Sequence, residues 1–260
     1  MDRESRSRVQ GDVLPPAAPA PVARLAGTAL RSMLTSFMVG CGLDEQSADL
    51  AGQELVNDHH DGVPTDQLCD VLLAALPRCL DANLATIYLS VPITSGRAYL
   101  QQRSRDSAEG DSDGQAKAAA LRSNLTRASI AVERLRNSEA ANVINPSRLP
   151  DVPGWTQDSY HSFWSRVIAG YPQRLVFLDG WHYSVGCTRE FADSVRFGLP
   201  AFTESLADLD ASTAIQLVQT ALDEYASAKV NDAELRTSLE TIHGALAESR
   251  MRRDRDDVGA

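Results

Sequence analysis

Between Leu84 and Phe202 the chain alternates short apolar runs with longer stretches of helical periodicity, and this alternation constrains the fold more than any other feature of the sequence. Leu84-Ala85-Thr86-Ile87-Tyr88-Leu89-Ser90 is apolar and β-branched and is closed off by Pro92 and Gly96, the pattern of a buried strand. Ala141-Asn142-Val143-Ile144 stops at Asn145-Pro146, and Arg174-Leu175-Val176-Phe177-Leu178 stops at Asp179-Gly180, so each reads as a further strand. Leu199-Pro200-Ala201-Phe202 is a shorter one. Helices fill the gaps: one reaching Leu135, one over Ser159 to Ala169 with Tyr160, Phe163, Trp164 and Val167 in register, and one from Gly186 to Phe197. The order βαβαβαβ predicts right-handed crossovers and an α/β fold with a mainly parallel sheet flanked by helices.

The flanks read as helical. Residues 22–83 predict an N-terminal helical extension: Leu25, Leu30, Met33, Leu34, Phe37 and Met38 recur at helical spacing as far as Gly40 to Gly42. A second helix follows Asp44, and Leu68, Val71, Leu72, Ala75 and Leu76 form the apolar stripe of a third, with Pro64-Thr65 at its start and Pro77 near its end. Beyond the central unit, 84–205, residues 206–260 predict C-terminal helices over Ser212 to Ala226 and Asp232 to Met251, then a frayed tail through the mixed charges of Met251 to Asp257. Residues 1–21, charged and then rich in Pro and Ala, predict a disordered N-terminus, and the polar, Gly-containing Ser104 to Gly114 a mobile loop.

Composition narrows the partners. A net charge of -10 repels nucleic-acid polymers and anionic membranes, so a small molecule or a protein is the expected partner. No run has signal-peptide or bilayer-spanning character, which predicts a soluble, cytoplasmic protein. Cys41, Cys69, Cys79 and Cys187 lack metal-ligand spacing and are expected as free thiols, and His59-His60-Asp61 reads as a polar helix end, so no metal is expected. Neither a GxGxxG nor a GxxxxGK[ST] motif occurs, and no cofactor is expected.

Ligands of open parallel sheets bind outside the carboxyl ends of the strands, which singles out the loops Ser90 to Arg97, Asn145 to Trp155, the one after Phe202, and Asp179 to Glu190. The last is the densest constellation. Trp155, Asp179, Trp181, His182, Tyr183 and Ser184 have the chemistry to hold a base or sugar, although aromatics also fill cores. Ser184, Gly186 and the amides of Val185 to Thr188 would open a helix, where an anion is favoured, with Glu190 about one turn in. In the first loop, Pro92, Ser95, Gly96 and Arg97 are further candidates, Arg97 through its guanidinium.

Ile87-Tyr88-Leu89-Ser90-Val91-Pro92-Ile93, Val143-Ile144-Asn145-Pro146, Leu178-Asp179-Gly180-Trp181 with Ser184, Gly186 and Glu190, and Gly198-Leu199-Pro200 follow one another in a telling order. They resemble the nucleoside 2-deoxyribosyltransferase-like superfamily, including a phage and bacterial domain with a Tyr-x-x-Gly-Pro start, a Val-Ile-Asn-Pro strand, a Leu-Pro-Gly-Trp turn and a Ser-x-Gly-Ala-x-x-Glu helix. The resemblance covers roughly 120 of the 260 residues. It implies a Rossmann-like sheet, a homo-oligomer and a glutamate, here Glu190, that attacks the anomeric carbon of a nucleoside or nucleotide. Tyr88 and Asp179 join it as catalytic candidates; Trp181 and Asn145 join the substrate contacts. Ser184 matches the phosphate-binding serine of the superfamily's nucleotide N-glycoside hydrolases, where transferases acting on free nucleosides carry aspartate.

Three departures stand out. Val91 occupies the usual glycine position, which would bring a side chain into a turn that substrate approaches. Cys187 replaces alanine, and Tyr160-His161-Ser162-Phe163-Trp164 lacks the base-orienting aspartate, leaving Asp158 a turn earlier. Three functions therefore remain open: a glycosidase or transferase, a nucleotide-binding sensor, and an interaction module that keeps only the fold.

Overall fold

The computed structural model describes residues 23–105, 112–230 and 233–258. The Pro- and Ala-rich opening expected to be disordered lies outside them, as does the middle of the Ser104 to Gly114 run.

Among the described residues three helices precede the sheet, α1 (Gly27–Cys41), α2 (Glu45–Asp58) and α3 (Leu68–Cys79). Residues 22–80 are not wholly helical: β1 (Arg24–Leu25) pairs antiparallel with β2 (Val63–Pro64). Strands of two residues carry no periodicity to read. The pair is clamped by Arg24, whose guanidinium donates to the carbonyls of Asp61 at 2.9 Å and Gly62 at 2.6 Å.

The central alternation becomes β3 (Thr86–Ser90), α4 (Arg97–Arg105), α5 (Ser112–Glu139), β4 (Asn142–Ile144), α6 (Gln157–Gly170), β5 (Arg174–Phe177), α7 (Val185–Phe197) and β6 (Ala201–Thr203). The four strands are all parallel, in the order β4-β3-β5-β6. Helix reaches further into the polar run than expected, to Arg105 on one side and from Ser112 on the other. Alanines at 116 and 118–120 favour helix enough to carry Gly114 along.

Successive strand residues point to opposite faces. Ile87, Leu89 and Val91 share one face with Val143, Val176 and Leu178, covered by Ala128, Ala131, Val132 and Leu135 of α5. Tyr88 lies on the other with Ile144, Leu175 and Phe177, in a core that takes in Phe37 of α1, Phe163 and Trp164 of α6 and Phe191 of α7. The same core runs on into α8 (Ala211–Ser227) through Val218 and α9 (Ala233–Val258) through Ile242. Helix α9 continues through Met251 to Asp257, the stretch expected to fray, because that run contains Arg and Met and neither Gly nor Pro. Among the described residues no helix is long and apolar enough to cross a membrane.

The crossover after β3 goes to the face of α5 and the one after β5 to the face of α7. The carboxyl ends of these neighbouring strands therefore form a topological switch point, the place where open parallel sheets bind ligands.

Candidate functional site

Glu190 stands at this switch point. Ser184 caps α7, its hydroxyl accepting from the Cys187 amide at 3.5 Å, and the helix then carries Glu190 back over the end of β3. Alternation along β3 puts Tyr88 and Ser90 on the face that meets it. The Tyr88 hydroxyl donates to one carboxylate oxygen of Glu190 at 2.7 Å, and the Ser90 hydroxyl donates to the other at 2.5 Å. Tyr88 and Ser90 are fully buried and Glu190 is 8% exposed.

Burial pushes the Glu190 carboxyl up to about 7, against the pull of the Ser90 and Tyr88 hydroxyls, with the Asp193 charge adding to the rise. Two donors on one anion lower its pKa, and removal from water raises it further than they lower it. Burial, reinforced by the Glu190 charge, also pushes the Tyr88 phenol well above its ordinary value, so it stays a donor. The Cys187 thiol lies against both Ser90 and Ser184; burial first and then Glu190 raise it, which makes it an inert packing group. Asp193 is raised by burial, with Ser165 and an Arg196 contact of 2.5 Å opposing.

The loops on either side meet. Gly96 and Gly180 both have positive φ, +91° and +82°, and a Cβ on Gly96 would lie 3.1 Å from the Pro92 Cβ and 3.7 Å from the Gly180 carbonyl oxygen. The first loop is also pinned from α5: Asn124, buried, donates to the carbonyls of Ile93 at 3.1 Å and Ser95 at 3.0 Å. Replacing Asn124 with alanine is expected to lower stability by about 1–2 kcal/mol, read from the urea midpoint, because two loop carbonyls lose their partner. An unchanged midpoint would show that the loop is held by other contacts.

Arg97, exposed at the start of α4, lies over the Tyr183 ring at 5.9 Å and 3.8 Å from Glu224 of α8, which also accepts from the Tyr183 hydroxyl at 2.7 Å. Thus α8 reaches the residues that follow β3 and β5. His182 is held below its ordinary pKa chiefly by burial, and its buried Nδ1 has no hydrogen-bond partner. His161 on α6 is pushed down to about 4 by burial and by Arg189, against Asp158, so it is neutral near pH 7. Asp158 is paired with Arg189 at 3.2 Å.

The other candidates disperse. Asp179 is exposed, its amide donating to Glu204 and its carbonyl accepting from Arg127 at 3.1 Å each, and it makes no hydrogen bond to Glu190. Trp181 is a core residue, stacked on Phe191 at 5.4 Å and tilted against Phe177 at 5.0 Å. Asn145 turns its carboxamide oxygen to Ser147 and caps the 3-10 turn Pro146–Arg148, one strand from Glu190. Gly186 sits in the first turn of α7, with space for a Cβ 3.7 Å from the Ser184 hydroxyl. Val91 packs under α5, away from Glu190, because it falls on the face opposite Tyr88 and Ser90. Phe163 and Trp164 fill the core where an aspartate would be expected.

Ser90 was legible only as a strand end, yet Tyr88 and Ser90 are spaced i, i+2 and had to share a face. Asn124 and Glu224 left no signal, since their partners are backbone carbonyls and a residue far away in the chain. All four cysteines are free thiols, and among the described residues no group of three His, Cys, Asp or Glu is placed to hold a metal. Comparison with family models, with curated proteins and with solved structures returned no match to this chain.

Proposed function

We propose that residues 84–205 form a Rossmann-like, deoxyribosyltransferase-like unit that cleaves the N-glycosidic bond of a nucleoside or nucleoside 5′-monophosphate. The observation that carries this reading is the Glu190 carboxylate, oriented by the Tyr88 and Ser90 hydroxyls at the carboxyl edge of β3. Two hydroxyl donors fix the plane of the carboxylate and leave lone pairs on each oxygen. Ionised Glu190 attacks the anomeric carbon as the bond to the base breaks, with the bonding electrons leaving on the base nitrogen, which takes up a proton. The ester at that carbon is then opened by water or by a second base, restoring the carboxylate. Ser184 and the first amides of α7 would receive a 5′-phosphate.

The test is incubation with nucleosides and their 5′-monophosphates, ribo and deoxy, with chromatographic detection of free base. Arg97 favours a second reading: an anion that draws it from Glu224 would act on α8, as in a nucleotide sensor. Thermal stabilisation by a nucleotide without base release would select that reading.

The attacking form is the ionised one, so the rate is expected to rise with pH through about 7. In Tyr88→Phe a donor to the carboxylate is lost, the ionised form is less favoured, and the rising limb should move up by about one pH unit. A rate profile that keeps its position in this variant would remove Tyr88 from the mechanism.

A further inference from the structure

A second concavity lies at the edge strand, one strand from Glu190. Between α1, α5 and the 3-10 turn after β4 runs an open groove of about 400 Å³, lined by Arg148, four hydroxyl-bearing side chains and three apolar residues, Leu125, Leu149 and Pro150. Its lining contains no acidic residue, and among the described residues no carboxylate pairs with Arg148. Arg136 stands within electrostatic reach of Arg148, with Glu133 also within reach of Arg136.

The hydroxyl protons are already committed. Ser36 donates to the Arg148 carbonyl at 2.7 Å, Thr126 to the Arg122 carbonyl at 3.0 Å, Ser129 to the Leu125 carbonyl at 3.1 Å and Ser147 to the Asn145 carboxamide oxygen at 2.7 Å. What these four side chains have left is oxygen lone pairs, and what Arg148 has left is its fork of N–H donors. A complementary ligand therefore carries several hydroxyl groups to donate and one compact anionic group to accept.

The position of Arg148 is built into the fold. The carbonyl of Gly40 in α1 accepts from the Asn145 amide at 3.0 Å, and a Cβ on Gly40 would fall 2.6 Å from the Cβ of Arg148. Only a residue without a side chain lets the turn that carries Arg148 sit this close to α1.

We propose that this groove binds a small polyhydroxylated anion of the sugar-phosphate class, with phosphate on Arg148 and sugar hydroxyls on the serine and threonine oxygens. The site is independent of the chemistry assigned to Glu190. Calorimetric titration of the full chain with ribose 5-phosphate, ribose, gluconate and inorganic phosphate tests it. Ribose 5-phosphate should bind most tightly of the four. Binding should weaken roughly ten- to hundredfold in Arg148→Gln and comparably in Ser129→Leu, which fills the groove from an exposed position, and stay unchanged in Glu190→Gln.

Circular dichroism establishes that each variant is folded, and Ser129→Leu serves should Arg148→Gln not fold. The proposal is overturned by no binding of ribose 5-phosphate at millimolar concentration, by binding indifferent to both groove variants, or by binding lost in Glu190→Gln. Gluconate binding more tightly would overturn the phosphate assignment, and inorganic phosphate binding equally well would overturn the role of the hydroxyls.

Discussion

Glu190→Gln is expected to release base at least about 10⁴-fold more slowly than the parent protein, with the fold retained. The substitution keeps the shape of the side chain and the hydrogen-bonding capacity that Tyr88 and Ser90 require, since either hydroxyl can turn to accept from the amide. What it removes is the charge and the nucleophilic oxygen. An amide oxygen does not form a stable bond to an anomeric centre, and a neutral group does not stabilise an oxocarbenium-like transition state. Chromatography of free base, run beside the parent protein on whichever substrate the panel identifies, gives the answer. Retention of more than a few per cent of the rate would mean that the carboxylate is structural.

The same variant should be more stable than its parent in neutral and alkaline solution. In the unfolded chain the Glu190 carboxyl titrates near 4.5, and in the folded protein burial holds it near 7. Below the lower value both states are protonated and Glu190 adds no pH dependence. As pH rises between the two, the unfolded state sheds its proton first and is favoured. Above the folded value the full penalty, about 3 kcal/mol, is in place. Glutamine never ionises, so denaturant unfolding should show Glu190→Gln more stable by about this amount near pH 8, with the gap closing near pH 4. A stability difference that does not change with pH would show that the carboxyl titrates normally. A buried acid that destabilises its own fold is the trade commonly seen where a side chain is positioned for chemistry.

The four strands of the sheet and their parallel direction were legible in the sequence because apolar runs bounded by Asn-Pro and Asp-Gly leave few alternatives, whereas their order was not. The resemblance, and not periodicity, singled out Tyr88, and the helix expected after the third strand carried Glu190 about one turn from its start. Less was legible where one residue type serves two purposes. Trp181 has the chemistry of a base-stacking residue, and only its contacts with Phe177 and Phe191 reveal a packing role. Val91 looked like an obstruction until the pleat turned it toward α5. Asp179 sits beside a glycine turn that suggested a crevice, whereas its exposure comes from a backbone drawn toward Arg127 and Glu204. Glu224 belongs to a helix outside the resembled unit, and nothing local in its sequence points to Arg97 or Tyr183.

Helix α7 is held on both sides, by the sheet through Phe191 and by α9, which meets it along its length and reaches Arg196 through Glu248 at 3.3 Å. Most of its length is buried between these two layers. Its amides are expected to exchange more slowly than those of the loop before α4, which is pinned through Asn124 and is less buried. On the proposed reading, a ligand would reshape the loops around Glu190 while the carboxylate, carried on a helix packed from both sides, stays still.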